Sequence, residues 1–180
     1  MKTLHIALVG NPNCGKTALF NLLTGSRQKV ANYSGVTVER KEGQFVDADR
    51  IVKVLDLPGA YSLNATSPDD LITRNICMGT HDYGFHPDVL VCVVDATNLR
   101  LHLRFVLEIK ALGKPLIVAL NMMDAAKKRG IEIDLVELEQ SLGVPVLPTI
   151  AVASHGADIL KKYLAEHSVP LPAIEPQQNV

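Results

Sequence analysis

The chain lacks tryptophan, a large net charge and any long apolar run. Its 180 residues contain no Trp, four Tyr and four Phe, and the formal net charge is −1 at pH 7. So small a charge gives no electrostatic support for binding nucleic acid or a membrane surface, and we expect no nucleic-acid partner. The apolar runs are shorter than the roughly 18 residues that a membrane helix needs, and Met1-Lys2-Thr3 leads directly into the first of them. These absences predict a soluble cytosolic chain without a signal peptide.

Cysteine is also scarce. Cys14, Cys77 and Cys92 are odd in number and share no metal-ligand spacing, which favours free thiols in a reducing compartment over disulfides or a zinc site. The hydrophobic content of 47% and the charged content of 21% are those of a compact globular protein. A chain of this length can bury one α/β core.

Short apolar runs alternate with helical patterns. The pattern predicts strands at 4–9, 43–48, 51–57, 89–95, 116–121 and 146–150, and helices at 17–24, 68–78, 98–112, 134–142 and 157–167. This order predicts a three-layer α/β fold, with a six-stranded, mostly parallel sheet, one antiparallel edge strand and helices on both faces. Residues 26–38 have no clean period and are predicted to form a loop. Residues 1–168 would form this one domain, and the proline-rich segment 169–180 would be a linker or tail.

One motif directly follows the first predicted strand. Residues 10–17 read G-N-P-N-C-G-K-T, a complete phosphate-binding loop between a strand pattern and a helix pattern. Gly10 and Gly15 let backbone N–H groups approach an anion. Lys16 can reach phosphate oxygens, and the Thr17 hydroxyl can ligate Mg²⁺. The loop therefore predicts a nucleoside triphosphate site.

Two further motifs end later strands. In Asp56-Leu57-Pro58-Gly59, the carboxylate can hold Mg²⁺ through a water and the Gly59 N–H can touch the γ-phosphate. In Asn121-Met122-Met123-Asp124, Asp124 can accept from the N1–H and the exocyclic amine of guanine, a donor pair that adenine lacks. Asn121 would connect this loop to the phosphate loop. Because ligands of such sheets bind at the carboxyl ends of strands, the motifs together predict a guanine nucleotide site.

The loop between the first helix and the second predicted strand carries a threonine. Residues 32–38 read N-Y-S-G-V-T-V. The Thr37 hydroxyl can join the Mg²⁺ ligands only when a γ-phosphate is present, which would make this loop an order–disorder switch. We expect Gly35 and Val36 to contact the nucleotide with it.

The order of these motifs resembles that of small GTPases of the TrmE-Era-like superfamily. More narrowly, G-N-P-N-C-G-K-T-A-L-F-N, N-Y-S-G-V-T-V-E-R-K-E-G and D-L-P-G-A-Y-S-L resemble the G domain of the bacterial ferrous iron transport protein B (FeoB) family, over roughly residues 3–167. The resemblance implies the Ras-like P-loop GTPase fold, GTP and GDP as ligands, Mg²⁺, and a position on the cytoplasmic face of an inner-membrane Fe²⁺ transporter. The implied partners are a helical domain and a membrane region of a longer chain, with small cytosolic Feo accessory proteins; the oligomeric state stays open.

The resemblance also implies residue roles. The implied catalytic residues are Lys16, Thr37, Asn13 and Gly59. The implied Mg²⁺ ligands are Thr17, Thr37 and, through a water, Asp56. Asn13 would hold a K⁺ ion that stabilises developing charge, or would form only a loop hydrogen bond. The residues expected to contact the nucleotide are Gly10, Asn11, Pro12, Asn13, Cys14, Gly15, Lys16, Thr17, Ala18, Gly35, Val36, Thr37, Asp56, Leu57, Pro58, Gly59, Asn121, Met122, Met123, Asp124, Ile150, Ala151 and Val152.

Two positions depart from the pattern of Ras-like enzymes. Those enzymes carry a water-orienting Gln after the D-x-x-G turn, whereas Ala60 and Tyr61 stand here, so we expect slow hydrolysis. Ile150 stands where relatives carry Ser in the base-binding loop. We therefore expect weaker support of this loop and poorer nucleotide affinity, with the Ala151 N–H left to donate to guanine O6.

Three alternatives remain open. A soluble ribosome- or tRNA-associated GTPase of the same superfamily usually carries D-T-P-G and N-K-x-D instead of the motifs found here. A nucleotide-sensing module with negligible turnover is compatible with the absent Gln. Direct Fe²⁺ binding by a cluster of His81, Asp82 and His86 is the third alternative, although the sequence shows no third firm ligand for the metal there.

Overall fold

The computed structural model describes residues 1–167. The predicted tail at 169–180 lies outside the described residues. The strands are β1 (Lys2–Gly10), β2 (Gln28–Asn32), β3 (Glu39–Asp47), β4 (Arg50–Asp56), β5 (Val89–Asp95), β6 (Leu116–Asn121) and β7 (Val146–Pro148). The helices are α1 (Lys16–Thr24), α2 (Pro68–Met78), α3 (Leu99–Lys110), α4 (Met123–Lys128), α5 (Leu135–Leu142) and α6 (Asp158–Glu166), and a 3₁₀ turn at Ala96–Asn98 precedes α3.

The strands form one sheet in the order β2-β3-β4-β1-β5-β6-β7. β3 runs antiparallel to β2 and β4, and the other pairings are parallel. This confirms the α/β class and the antiparallel part at one edge. The predicted strand count was wrong, because the sheet has seven strands rather than six.

The additional strand is β2, inside the segment predicted to be a loop. Its residues Q-K-V-A-N are all exposed, and it pairs only with β3. Because neither face of this strand packs against the core, its sequence does not need the alternation of apolar and polar residues by which strands are recognised. Backbone hydrogen bonds to β3 define it instead. The short helix α4 was also not predicted, and β7 ends at Pro148, earlier than residue 150.

The core has two parts, one on each face of the sheet. On one face, α1 and α6 pack through Phe20 and Leu160 against alternate residues of β1, such as Ile6 and Leu8. On the other face, α2 and α3 pack against the intervening residues. The central strands β5 and β6 are buried along nearly their whole length, which explains their continuous apolar sequences. Helices on both faces are confirmed.

The parallel register determines where the motifs meet. In the β1–β4 pair, Leu8 lies beside Asp56, and in the β5–β6 pair Asp95 lies beside Asn121. Gly10, Asp56 and Asn121 are the last residues of their strands, so the loops that follow them leave the same edge of the sheet. Within residues 1–167 no helix combines the length and the apolar character that spanning a bilayer requires.

Candidate nucleotide-binding site

The phosphate loop connects β1 to α1, and close contacts require glycine at two of its positions. A Cβ atom at Gly10 would lie 2.7 Å from the Val93 carbonyl oxygen. Gly15 has a left-handed backbone, with φ of 86°, and a Cβ there would lie 2.2 Å from Asn121 Nδ2. Asn13 is left-handed too, with φ of 65°, a conformation that Asn tolerates better than most residues. The backbone is therefore held in a tight turn ahead of the helix N-terminus.

Lys16 and Asp56 form a buried ion pair. Lys16 begins α1, Asp56 ends β4, and Nζ lies 2.5 Å from Oδ1. The two side chains are only 9% and 6% exposed. Each charge compensates the other where little water can do so, and together they hold the phosphate loop against the D-L-P-G motif.

The segment after Asp56 rests on the phosphate loop. The Leu57 N–H donates to the Leu8 carbonyl at 3.1 Å, and the Ala60 N–H donates to the Gly10 carbonyl at 3.0 Å. Between them, a Cβ at Gly59 would lie 3.2 Å from Pro12. The Gly59 backbone therefore lies close to the phosphate loop, and a side chain there would require Pro12 to shift by a few tenths of an ångström.

Asn121 connects three loops. Its Nδ2 donates to the Cys14 carbonyl at 3.1 Å. Its Oδ1 accepts from the Thr149 hydroxyl at 3.2 Å and from the Ala151 N–H at 3.0 Å. The expected link to the phosphate loop is thus present in the structure, and Asn121 also holds the loop after β7. Thr149 could not be singled out from the sequence, because an isolated Thr at a strand end carries no signal of its own.

Met122 turns the chain so that Asp124 enters a helix. Met122 has a left-handed backbone with φ of 63°, and α4 begins at the next residue. Asp124 lies in the first turn of α4 and is half-buried. Its carboxylate is placed at the same edge of the sheet as the phosphate loop.

One N–H group of the loop after β7 already has an acceptor within the chain. The Ala151 N–H, expected to donate to guanine O6, donates to Asn121. The following residue, Val152, is 84% exposed. Ile150 is held by backbone bonds, donating to the Gly156 carbonyl at 2.9 Å and accepting from the Ala153 N–H at 3.0 Å. The effect of Ile150 on affinity stays a prediction.

Thr37 lies on the exposed part of its loop. Tyr33 and Val38, 1% and 8% exposed, close the loop through a Tyr33 N–H bond to the Val38 carbonyl at 3.0 Å. Gly35, Val36 and Thr37 between them face solvent. The structure does not bring these three residues into the buried group formed by Lys16, Asp56 and Asn121.

Tyr33 anchors this loop and was not singled out from the sequence. Its ring meets Tyr83 edge-on at 5.4 Å between centroids, and the Arg40 guanidinium lies 5.4 Å from the ring centre. Arg40 in turn donates to the Tyr83 carbonyl. Burial raises the pKa of the Tyr33 hydroxyl well above its ordinary value. An aromatic residue in a polar segment was the available signal.

The cysteines and the histidine cluster do not add chemistry to the site. All three cysteines are buried free thiols. Burial raises the pKa of Cys14 to about 11, so it stays protonated and acts as a small packing group. His86 lies 3.3 Å from Asp82, and both side chains are highly exposed. His81 packs on the Tyr83 ring instead. Across the described part of the chain, no three potential ligands converge on a metal position.

Comparison with known proteins identifies the family. The family model described as "Ferrous iron transport protein B" matches residues 4–164. The chain belongs to this family. The Fe(2+) transporter FeoB of Escherichia coli K12 is 47% identical over 175 residues, which is 95% of this chain and 22% of that protein. The FeoB of Salmonella typhimurium LT2 is likewise 47% identical, over 93% of this chain and 22% of its own length. The chain thus spans about a fifth of the curated relatives that it matches.

Solved FeoB structures share the fold. The G domain of T. maritima FeoB superimposes with a TM-score of 0.82 at 41% identity, covering 91% of this chain and 98% of that one. The T. maritima cytosolic domain in GDP form I gives 0.86 at 39% identity, covering 96% of this chain and 67% of that one. The same cytosolic domain has also been solved in a GMPPNP form, with a TM-score of 0.83 at 38% identity over 92% and 65% of the two chains. This FeoB-family domain therefore has the fold of a P-loop GTPase.

Proposed function

We propose that this domain binds GTP and GDP with Mg²⁺, hydrolyses GTP slowly, and acts as a switch that regulates or drives Fe²⁺ uptake by a longer inner-membrane transporter. The observation that carries the proposal is the bonding of Asn121 to both Cys14 and Ala151. These bonds connect the phosphate loop, the Asn121–Asp124 segment with a carboxylate suited to guanine, and the loop after β7 in one site. The GDP and GMPPNP forms of the T. maritima relative support the ligand class.

The phosphate end of the site fits a triphosphate and Mg²⁺. The buried Asn11 Oδ1 has no hydrogen-bond donor among the described residues, although such atoms normally find one. Thr17 and Asp56 supply the hard oxygen donors that Mg²⁺ prefers. Phosphate oxygens would compete with Asp56 for the Lys16 ammonium, which would free the Asp56 carboxylate to hold Mg²⁺ through a water. When bound, Mg²⁺ supplies positive charge against the phosphates.

The base end would select guanine. Asp124 would accept from the guanine N1–H and exocyclic amine, a pattern that rejects adenine because the carboxylate would be left unpaired. Since the Ala151 N–H already serves Asn121, the exposed Val152 backbone is the better placed donor for guanine O6. In this arrangement Ala151 stabilises the loop through its bond to Asn121, and Ile150 does not.

The loop with Thr37 would report the γ-phosphate. Its two ends are anchored by Tyr33 and Val38, while residues 35–37 are exposed and held within the loop by one backbone bond, from the Val36 N–H to the Tyr33 carbonyl at 3.2 Å. The Thr37 hydroxyl would join the Mg²⁺ ligands in the GTP state and leave them after hydrolysis. Gain or loss of the contact made by the Thr37 hydroxyl would thereby change the structure of this loop.

Hydrolysis would proceed by attack of water on the γ-phosphate. Ala60 and Tyr61 cannot orient a water as Gln does, so Lys16, the Gly59 N–H and a K⁺ ion held by Asn13 would supply charge stabilisation. This set provides positive charge but no general base, which is consistent with a slow rate. A nucleotide sensor with negligible turnover is the second candidate, and the absent Gln favours it.

The relatives are Fe(2+) transporters of which this region is 22%. We therefore propose that the remainder of such a chain, a helical domain and a membrane region, is the main partner, with small cytosolic accessory proteins as further partners. The domain would then lie at the cytoplasmic face of the inner membrane. Family membership favours this reading over a ribosome- or tRNA-associated GTPase.

Single-turnover phosphate release from bound GTP, measured in K⁺ and in Na⁺, tests the proposal. We expect slow release that K⁺ accelerates. Asn13→Gly should abolish the difference between the two salts, and Gly is the suitable replacement because Asn13 has a positive φ. GTP that binds but yields no phosphate in either salt would support the sensor instead, and failure to bind GTP would overturn the proposal.

A further inference from the structure

The segment after the D-L-P-G motif is held at a second point by helix α3. The Leu63 N–H donates to Glu108 Oε2 at 2.9 Å, and the Ser62 hydroxyl donates to the same oxygen at 3.1 Å. Glu108 is half-buried on α3, and no sequence motif marked it. A carboxylate that accepts two hydrogen bonds makes stronger contacts than neutral groups would.

The Ser62 hydroxyl has a defined direction. Its oxygen accepts from the Asn64 N–H at 3.1 Å, so its proton is available for the Glu108 carboxylate. Ser62, Leu63 and Asn64 are thereby fixed relative to α3 by consecutive bonds. The helix itself is buried in the core through Phe105 and Ile109, so it is a rigid support.

Together with the phosphate loop, Glu108 fixes both ends of a very short stretch. Ala60 is bonded to the Gly10 carbonyl and Ser62 is bonded to Glu108. Only Tyr61 lies between these anchors, and this residue is 60% exposed. The backbone from Ala60 to Ser62 is therefore held at both ends, and Gly59, which approaches Pro12, directly precedes this held stretch.

We propose that Glu108 is a positioning residue for GTP hydrolysis, acting through Ser62 and Leu63 to hold residues 59–61 over the phosphate loop. The inference rests on the proposed GTPase function. Because no side chain at residues 60–61 can orient the attacking water, the backbone of this stretch must define where water and γ-phosphate meet. Small displacements of such groups reduce rates strongly, while nucleotide affinity depends mainly on the phosphate and base loops.

Single-turnover hydrolysis of GTP by Glu108→Ala tests this role. We expect the rate constant to fall on the order of ten- to a hundredfold, with GDP affinity within about twofold of wild type, since a binding defect is not part of the mechanism. Glu108→Gln should restore most of the rate, because both bonds end on one oxygen that a Gln amide can supply. A merely structural role would not give this split between rate and affinity with rescue by Gln.

Glu139→Ala is the matched control. Glu139 on α5 also accepts a backbone N–H, from Val146 at 2.9 Å, but it supports β7 rather than the segment after Asp56. It should lower stability without a comparable loss of hydrolysis rate. An equal loss in both variants would assign the effect to general destabilisation and overturn the proposal.

Ser62→Ala keeps the proposal testable if Glu108→Ala does not fold. This smaller change should also slow hydrolysis, and in the double variant it should add little to Glu108→Ala, because both act through one contact. Exchange of the Leu63 amide hydrogen should accelerate in Glu108→Ala but not in Glu139→Ala. Wild-type hydrolysis with an unchanged Glu108→Ala rate refutes this inference alone. A wild-type protein that binds GTP without hydrolysing it contradicts the proposed GTPase and this inference together.

Discussion

Replacing Lys16 with methionine removes the ammonium from a buried ion pair and leaves its carboxylate behind. The pair is short, at 2.5 Å, and its side chains are 9% and 6% exposed. Water cannot solvate the remaining Asp56 charge well at that burial. Breaking a buried pair at one partner costs about 3–5 kcal/mol, a large share of the stability of an ordinary domain.

Urea unfolding of the nucleotide-free protein at pH 7 measures this cost. With a slope of about 2 kcal/mol per molar urea, the midpoint should fall by roughly 1.5–2.5 M. The double variant Lys16→Met/Asp56→Asn should recover at least about half of the loss, because it contains no uncompensated buried charge. Lys16→Met should also abolish nucleotide binding, since it removes the cation that would meet the phosphates.

Lys41→Met is the control. Lys41 pairs with Glu39 at 3.6 Å on the surface, where the side chains are 31% and 57% exposed, and such pairs contribute about 1 kcal/mol or less. The prediction is wrong if Lys16→Met unfolds at the wild-type midpoint, or if the double variant is less stable than the single one. Either result would mean that Asp56 is not a buried charge that depends on Lys16.

Three further predictions concern the loops of the site. Gly15→Ala should abolish nucleotide binding and destabilise the fold, because its Cβ would lie 2.2 Å from Asn121 Nδ2. Gly130 also has a positive φ, but a Cβ there meets open space. In the same thermal and binding assays, Gly130→Ala should therefore lose only the stability that a positive φ costs a residue with a side chain. Asp124→Asn should exchange preference for GTP with preference for xanthosine triphosphate in competition binding, and unchanged GTP binding with continued rejection of the xanthine nucleotide would disprove the base assignment. Ile150→Ser should tighten GDP binding measured by titration calorimetry, and equal affinity in the two proteins would remove the reason for assigning Ile150 a weakening effect.

Much of the site was predictable because its chemistry is local. The phosphate loop needs two glycines, a lysine and a threonine at set spacing between a strand and a helix, and all of these are contiguous in sequence. Asp56 and Asn121 could be placed at one edge because buried parallel strands end there. The same patterns predicted helices on both faces of the sheet.

What the sequence did not show has a physical cause too, because it depends on contacts between distant residues. β2 carries no hydrophobic period, since neither of its faces is buried, and only its pairing with β3 shows that it is a strand. The bond from the Ala151 N–H to Asn121 could not be predicted either, because the sequence does not say which acceptor lies nearest; the role of Ala151 at guanine stays a prediction. Thr37 was identified by its neighbours, but its exposure depends on how Tyr33 and Val38 pack into the core.

The sequence by itself determined the fold class, the phosphate loop and the order of the motifs, because these follow from periodicity and from spacing within a few residues. The tertiary structure decided which distant groups act together. Asn121 meets Cys14 across 107 residues, Lys16 meets Asp56 across 40, and Glu108 meets Leu63 across 45. Such contacts leave no trace in local pattern, because the packing of strands and helices, rather than the neighbouring residues, brings the atoms within bonding distance.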